Sequence, residues 1–499
     1  MSLDTGLGIA NSGLAAISQQ FALISQNVAN ASTPSYAAES SALSSKTAGG
    51  VGSGVASAPA TLNIDHAVQS ALVSSMGTAS YQATIANAMS GLDQVMGTPG
   101  QGNDLSSLTA NVQSSFTALL NDPSNAAQQS AVISAAQGLS GQINNIANSI
   151  GSARQTAQAQ ISTSLTTLNT SLTQIGTLNT QIVALTQQGL STADLQNQRS
   201  GLVQTVAQLT GAKLIAGSND TISLYTAQGL QLPTTGASFQ ILPSAIGASD
   251  SYPGTIPAIT LNGQDVTAGL GGGSIGAAIS LRDQILPAQQ ASLDSFAQTV
   301  ASRFAAQGLT LFSDPTGAIP STASMTGFSN VITVNPAVVA NPALVRDGTN
   351  AVVASTTGAT GFTPNPPGGP AGFSTLIDRI INFSLGNQVQ AGVPQTPAPT
   401  TGLGPAGTIN LPYPGNANIG DLATSVVASE AATSASAQSA STQAGQTQSA
   451  LQTQATQTSG VSIDQQMGTL VSLQNAYAAN AKVVGIAQQM MQTMEAMIS

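Results

Sequence analysis

LDTGLGIANSGLAAISQQFALISQNVANA, residues 3–31, steps its apolar side chains by four and three alternately: Leu3, Leu7, Ala10, Leu14, Ile17, Phe21, Ile24, Val28 and Ala31. A seam of that spacing, held over four repeats, is the pattern of a helix that packs against another helix. Ser, Gln, Asn and Gly occupy the other faces, where most coiled coils carry charges. Thr33-Pro34 stops the helix, because proline disfavours the helical region for the residue before it.

The other end of the chain mirrors the first. Ile463, Met467, Leu470, Leu473, Tyr477, Ala481, Val484, Ala487, Met491, Met494 and Ile498 keep the same spacing, and Ser462 with Gln465 three residues on forms a capping-box start. Two such seams imply an intramolecular helix pair, or seams shared with other copies. Ordering about 65 residues costs roughly 100 kcal/mol. Against this, about 20 seam side chains return roughly 40–50 kcal/mol and helical hydrogen bonds roughly 60. Alone, the pair is marginal, and it is expected to order fully among copies of itself or related subunits.

Between the ends, helical periodicity runs over 60–96, 105–120 and 126–188, the last long enough for a rod of about 90 Å at 1.5 Å per residue; Gly141, Gly151 and Gly176 are its weak points. Residues 41–60, rich in Ser, Ala and Gly, read as a loop. From 213 to 232 the pattern turns to a β-hairpin with its turn near Asn219-Asp220, and 256–266 continues strand-like. Helix returns over 275–309, with Pro287 a kink or break. Residues 423–460, almost wholly Ala, Ser, Thr and Gln, are a solvated helix or a tether, with helix preferred beside the terminal seam. The expected fold is mainly α with β-rich outer domains (α+β). Its parts are a terminal helical inner domain paired as a coiled coil (1–60 with 455–499), a long helical bundle or rod (61–200 with 275–309 and 421–454), a β-rich insert (201–274), and a Pro/Gly-rich β domain (310–420).

Composition excludes much. Of 499 residues, 9 are basic and 19 acidic, giving a net charge of −10 and only 6% charged residues. Nothing here neutralises a row of phosphates, so nucleic acid is not a partner. There is no Cys and a single His, which removes disulfides, thiolate metal sites and Cys nucleophiles. No run of 18 apolar residues marks a membrane span, and the first basic residue is Lys46, so the charged start of a secretory signal peptide is missing.

Candidate chemistry is thin. Gly271-Gly272-Gly273-Ser274-Ile275-Gly276 opens a helix in the manner of a dinucleotide loop, but no βαβ unit surrounds it, and a turn from β-structure back to helix accounts for it better. His66 begins a helical stretch with no second imidazole or thiol to support it. Arg199, Arg282 and Arg303 are read as ties to carbonyls or to carboxylates such as Asp194 and Asp283. No catalytic, cofactor or metal site is expected.

The termini also resemble a known family. Gly13-Leu14-Ala15-Ala16, Asn27-Val28-Ala29-Asn30 and Thr33-Pro34-Ser35-Tyr36, with Val461-Ser462-Ile463-Asp464, Leu470, Gln474 and Tyr477 to Val483, look like the opening and closing blocks of bacterial flagellar axial proteins. In the middle, Asn121-Asp122-Pro123-Ser124, Asp194 to Arg199 with Leu202-Val203, and Gly272 to Gly276 with Arg282-Asp283 resemble the flagellar hook-associated protein 1 (FlgK) family. Where that family often has an Arg soon after the Tyr of its first block, this chain has Ala37-Ala38-Glu39. The resemblance implies a non-enzymatic subunit of the hook–filament junction. It implies copies of itself, the hook protein, the next hook-associated protein and an export chaperone as partners, with type III export to the extracellular flagellum and no cleaved signal. The hook protein or a related axial subunit is the alternative within the class, and a secreted adhesin or effector the one outside it. The residues expected to carry assembly are Leu3, Leu7, Leu14, Ile17, Phe21, Ile24, Val28, Ile463, Met467, Leu470, Tyr477, Val484, Met491 and Ile498.

Overall fold

In the computed structural model residues 3–98 and 100–498 are described, with the side chain of Ile498 outside that description. The first helix, α1 (Leu3–Ala29), ends four residues before Thr33-Pro34. A short strand β1 (Glu39–Ser40) pairs with β4 (Thr61–Leu62), and between them β2 (Leu43–Ala48) and β3 (Val51–Ser57) form an antiparallel hairpin that lies on α1. The stretch read as a loop is therefore a ribbon. Gly49 and Gly50, at φ +60° and +81°, make its turn, a backbone that suits strand twist and that glycine adopts freely.

The helical body follows: α2 (His66–Met96), α3 (Leu105–Asn121), α4 (Ala126–Gln187) and α5 (Ala193–Thr210). α4 is continuous over 62 residues. Asn125 caps it by accepting from the backbone of Ala127 and Gln128 at 3.0 and 3.3 Å, and Leu139, Ile143, Ile146, Ile150, Ile161, Leu165, Leu168, Leu172, Ile175 and Ile182 form one buried stripe. Gly141 and Gly151 face open space, while Gly176 receives the backbone of Thr234. On the outer side of α4, the hydroxyls of Thr166, Thr170, Thr173 and Thr177 each donate to the carbonyl four residues earlier.

The insert holds two small antiparallel sheets. β5 (Lys213–Ala216) and β6 (Ile222–Tyr225) make the expected hairpin, with Asn219 and Asp220 both left-handed in its turn, and β7 (Gln231–Leu232) adds to it. β8 (Phe239–Gln240), β9 (Thr260–Leu261) and β10 (Gln264–Asp265) form the second. Arg154, fully buried on α4, clamps the insert by donating to the carbonyls of Gly247, Asp250 and Arg282 at 2.8, 2.8 and 3.1 Å.

Helix returns as α6 (Gly273–Ser280) and α7 (Leu286–Ala306), joined through a widened turn over 281–285. Pro287 has no N–H for the ordinary i→i−4 ladder, and the π-type turn just before it absorbs the mismatch. Residues 310–420 contain β11 (Phe312–Ser313), β12 (Thr333–Val334), the short helices α8 (Pro336–Ala340), α9 (Leu344–Asp347) and α10 (Thr375–Arg379), and the pair β13 (Gln388–Gln390) and β14 (Val393–Pro394). Phe312, Ile332, Val334, Val338 and Val345 from this segment join the main apolar core. The Ala/Ser/Thr/Gln tract is a helix, α11 (Ile419–Ser459), and α12 (Ile463–Ile498) closes the chain.

α11 runs antiparallel along α2. At one end Asp65 N–H donates to Ser459 Oγ at 3.1 Å. At the other, fully buried Glu430 faces Asp93, and its carboxyl oxygens lack a hydrogen-bond donor. Burial first, then the Asp93 charge, pushes Glu430 up to about 7. One core thus spans α2 to α7, the start of α11 and the 310–420 segment, and it includes no described residue of α1 or α12.

Two tests follow from this packing. Ala at Gly77 of α2 would put Cβ 2.6 Å from Gly211 Cα, so Gly77→Ala lowers unfolding stability by about 1–3 kcal/mol, whereas Gly141→Ala, with nothing within 4 Å, raises it by about 0.5–1 kcal/mol. Urea titration reads both. For Glu430, a folded value above the unfolded 4.5 means stability is full below 4.5 and is lost as pH rises through about 7. Glu430→Gln flattens that part of the slope between pH 5 and 8; equal slopes in the two proteins would contradict it.

Candidate assembly surface

α1 and α12 form an antiparallel pair, because both leave from one place. Ala38 N–H donates to Ser459 carbonyl at 2.8 Å, so the end of α1 and the start of α12 stand together. Ser462 Oγ accepts from Gln465 N–H at 3.4 Å at the start of α12. On α1, Ala10, Gly13, Ala16, Ile17 and Ile24 are buried, and Leu3, Leu7, Leu14, Phe21 and Val28 are half-buried. Gly13 permits the closest approach, since a Cβ there would lie 3.2 Å from Asn480 Nδ2. On α12 the inward line is Leu470, Leu473, Ala476, Asn480, Val484, Ala487 and Met491.

The apolar side of α12 is broader than one seam. Ile463, Met467, Tyr477 and Met494 are about half exposed, although Tyr477 still meets Phe21 edge-on, with ring centroids 6.4 Å apart. With them stand Val471, Val483, Ile486 and Met490, each at least half exposed, and Met497 at 80%. Sequence spacing placed Ile463 and Met467 in the same line as Leu470. The structure divides these positions between the side that meets α1 and a side that meets solvent, and Ile498 lies outside the described side chains. The outward residues Val471, Val483, Ile486 and Met490 lie outside the seam read from the sequence. α12, at 36 residues, also outruns the 27 of α1.

α1 is long and apolar enough by composition to cross a membrane, although no run of uninterrupted apolar residues signalled a span; its inward face is taken by α12.

Where the pair meets the body, the joint is polar. Asn27 of α1 brackets Glu39, accepting from its N–H and donating to its carbonyl, both at 2.9 Å. Asn197 of α5 does the same for Ala37 at 2.9 and 3.1 Å. Sequence reading missed this cluster, in which hydrogen-bonded partners lie up to 160 positions apart.

The other singled-out residues have structural partners. Arg282 holds Asp283 through two 2.7 Å contacts and Gln158 Oε1 through a third. Arg199 donates to Asn179 Oδ1 and the Asp220 carbonyl, not to Asp194. Arg303, brought down to about 10 by burial, donates to the carbonyls of Ala417 and Thr396. His66 is exposed at the start of α2, beside the capping Asp65. The glycines at 272 and 273 let α6 begin against the end of α5, where a Cβ on Gly272 would lie 2.6 Å from the Thr210 carbonyl. That start is filled by backbone. Among the described residues no group of three His, Cys, Asp or Glu could hold a metal.

If the pair is a body apart from the main core, Ile17→Ala, at a 6% exposed position, speeds protease cleavage within residues 1–40 and 460–499 while leaving the main thermal transition within about 1 °C. A fall of the main transition by the several degrees that about 2 kcal/mol would bring would contradict that separation.

Residues 89–318, from the end of α2 through α7, match the flagellar hook-associated protein FlgK helical domain, and residues 452–497 match the flagellar basal body rod FlgEFG protein C-terminal family. No curated protein matches the chain. Among solved structures, the flagellar hook junction protein FlgK from Burkholderia pseudomallei is similar at 24% identity and a TM-score of 0.41, over 50% of this chain and 45% of that one. The match thus spans under half the length of that relative.

Proposed function

The chain belongs to the FlgK family of flagellar hook-associated proteins, and on that premise we propose that it is a structural, non-catalytic subunit of the bacterial flagellum that builds the junction between hook and filament. The observation that supports this is the uncovered apolar side of α12. A two-helix pair that exposes Val483, Ile486, Met490 and Met494 to water forgoes about 1.5–3 kcal/mol for each large side chain it could bury. Neighbouring copies that set their own helix pairs against it recover that energy. Small residues such as Gly6, Gly8 and Ala15 on α1 leave room for close approach.

In this reading copies of the chain pack α1 and α12 side by side into a closed tube. The hook protein is the neighbour at one end and the next hook-associated protein at the other. An export chaperone holds the subunit before assembly, and the flagellar type III route takes it outside the cell without a cleaved signal peptide. The helical domain over 89–318 favours this over a hook protein, for which the terminal match alone would serve equally well.

The test is Ile486→Asp with Met490→Asp. Both positions are exposed in the monomer, so its unfolding stability stays within about 0.5 kcal/mol of the parent. On adding hook fragments, the parent gains protease protection over residues 1–40 and 460–499 and the double variant does not. Equal protection in both proteins would sink the assembly reading.

A further inference from the structure

A cavity of about 390 Å³ opens between the start of α2, α5 and the β5–β6 hairpin. Its walls are apolar: Leu62 of β4, Ile64 just after it, Val73 of α2, Val203 of α5 and Leu214 of β5. A concave, mostly apolar space of that size is the usual form of a small-molecule site. A cation stands in its wall. Arg199 of α5 lines the cavity and is only 8% exposed.

The hydrogen bonds of that guanidinium are incomplete. Nη1 donates to Asn179 Oδ1 at 2.8 Å and to the Asp220 carbonyl at 2.6 Å, whereas Nε and Nη2 meet no acceptor among the described residues. Arg154 and Arg379, also buried, use all three nitrogens on protein oxygens. Neither free nitrogen of Arg199 is enclosed by protein, and the cavity is where the side chain meets solvent. The ion pairs among the described residues are Arg282 with Asp283 and Arg346 with Asp347, so Arg199 has no counter-ion. The other ionisable groups on the lining are His66 and Asp220, both exposed, and Asp220 turns its carbonyl to Arg199.

A buried cation with unused donors is costly until an anion meets it. Burial accordingly lowers Arg199 from the usual guanidinium value. The planar fork of Nε and Nη2 matches the two oxygens of a carboxylate. We propose that this cavity binds an aliphatic monocarboxylate, with the carboxylate on Nε and Nη2 of Arg199 and the chain against Leu62, Ile64, Val73, Val203 and Leu214. Inorganic phosphate reaches the same nitrogens but leaves the apolar walls wet. A dicarboxylate brings its second charge against those walls or toward Asp220. The site needs only the single chain, so it stands apart from the assembly of the terminal helices.

Calorimetric titration of sodium octanoate into the full-length monomer reads the site. The parent binds one octanoate with a Kd on the order of 0.1 mM, and 1-octanol and inorganic phosphate each bind at least about tenfold more weakly. Ser70 is exposed at the mouth of the cavity on α2. Ser70→Trp closes that mouth without touching the core, and octanoate binding falls about tenfold or more. Arg199→Gln keeps a donor for the Asp220 carbonyl but loses the charge, so octanoate and octanol then bind alike. If Arg199→Gln does not fold, Ser70→Trp decides. Octanoate that fails to bind the parent at about 5 mM, octanol that binds it as tightly as octanoate, or a folded variant that binds octanoate like the parent overturns the proposal.

Discussion

The antiparallel return of α11 along α2 sets the plan of the molecule. It carries the chain from the far end of the body back to the place where α2 began, so that Ser459 meets both Ala38 and Asp65. Both terminal helices leave from that one point and run side by side. Everything between residues 66 and 459 is, in this sense, a single long excursion. The excursion closes because α2 and α11 share one register, tied at the joint by the Asp65–Ser459 hydrogen bond and packed along its length through Leu422, Ala423, Val426 and Val427 in the main core.

Two bodies of different character result. The larger has a continuous core in which α4 is the spine, and its rare cations are buried as fasteners: Arg154 on three carbonyls, Arg282 on its neighbouring carboxylate, Arg303 on two more carbonyls. A buried guanidinium without such partners would cost several kcal/mol, so each of these contacts fixes a loop as firmly as it satisfies a charge. The smaller body is one layer thick. Its α12 meets α1 on one side and water on the other, and that asymmetry is the feature the proposed function draws on.

The helices were readable because burial on one face imposes a period of three and four, and α4 keeps that period over 62 residues. The hairpin at 213–225 was readable because Asn219-Asp220 tolerate the left-handed backbone its turn needs. The ribbon at 43–57 was not, since Ser, Ala and Gly carry no strand preference and its register depends on resting against α1. On α12 the apolar residues were visible but their sides were not: a helix apolar on more than one face has no unique inward line until a partner chooses one, and here the partner left Ile463, Met467 and Met494 outside. The Glu39 cluster was invisible for another reason. Nothing in the local pattern ties Asn27 and Glu39 to Asn197, and only the fold of the chain brings them together.

The threonines on the outer face of α4 have a consequence of their own. Their hydroxyls are already bonded to the helix's own carbonyls, and hardly any ionised groups stand among them. Salt acts on proteins chiefly by screening exposed charges, and this flank has almost none to screen. That flank of α4 therefore gives screening ions little to act on, and it presents to the medium a coat of methyl groups and self-satisfied oxygens.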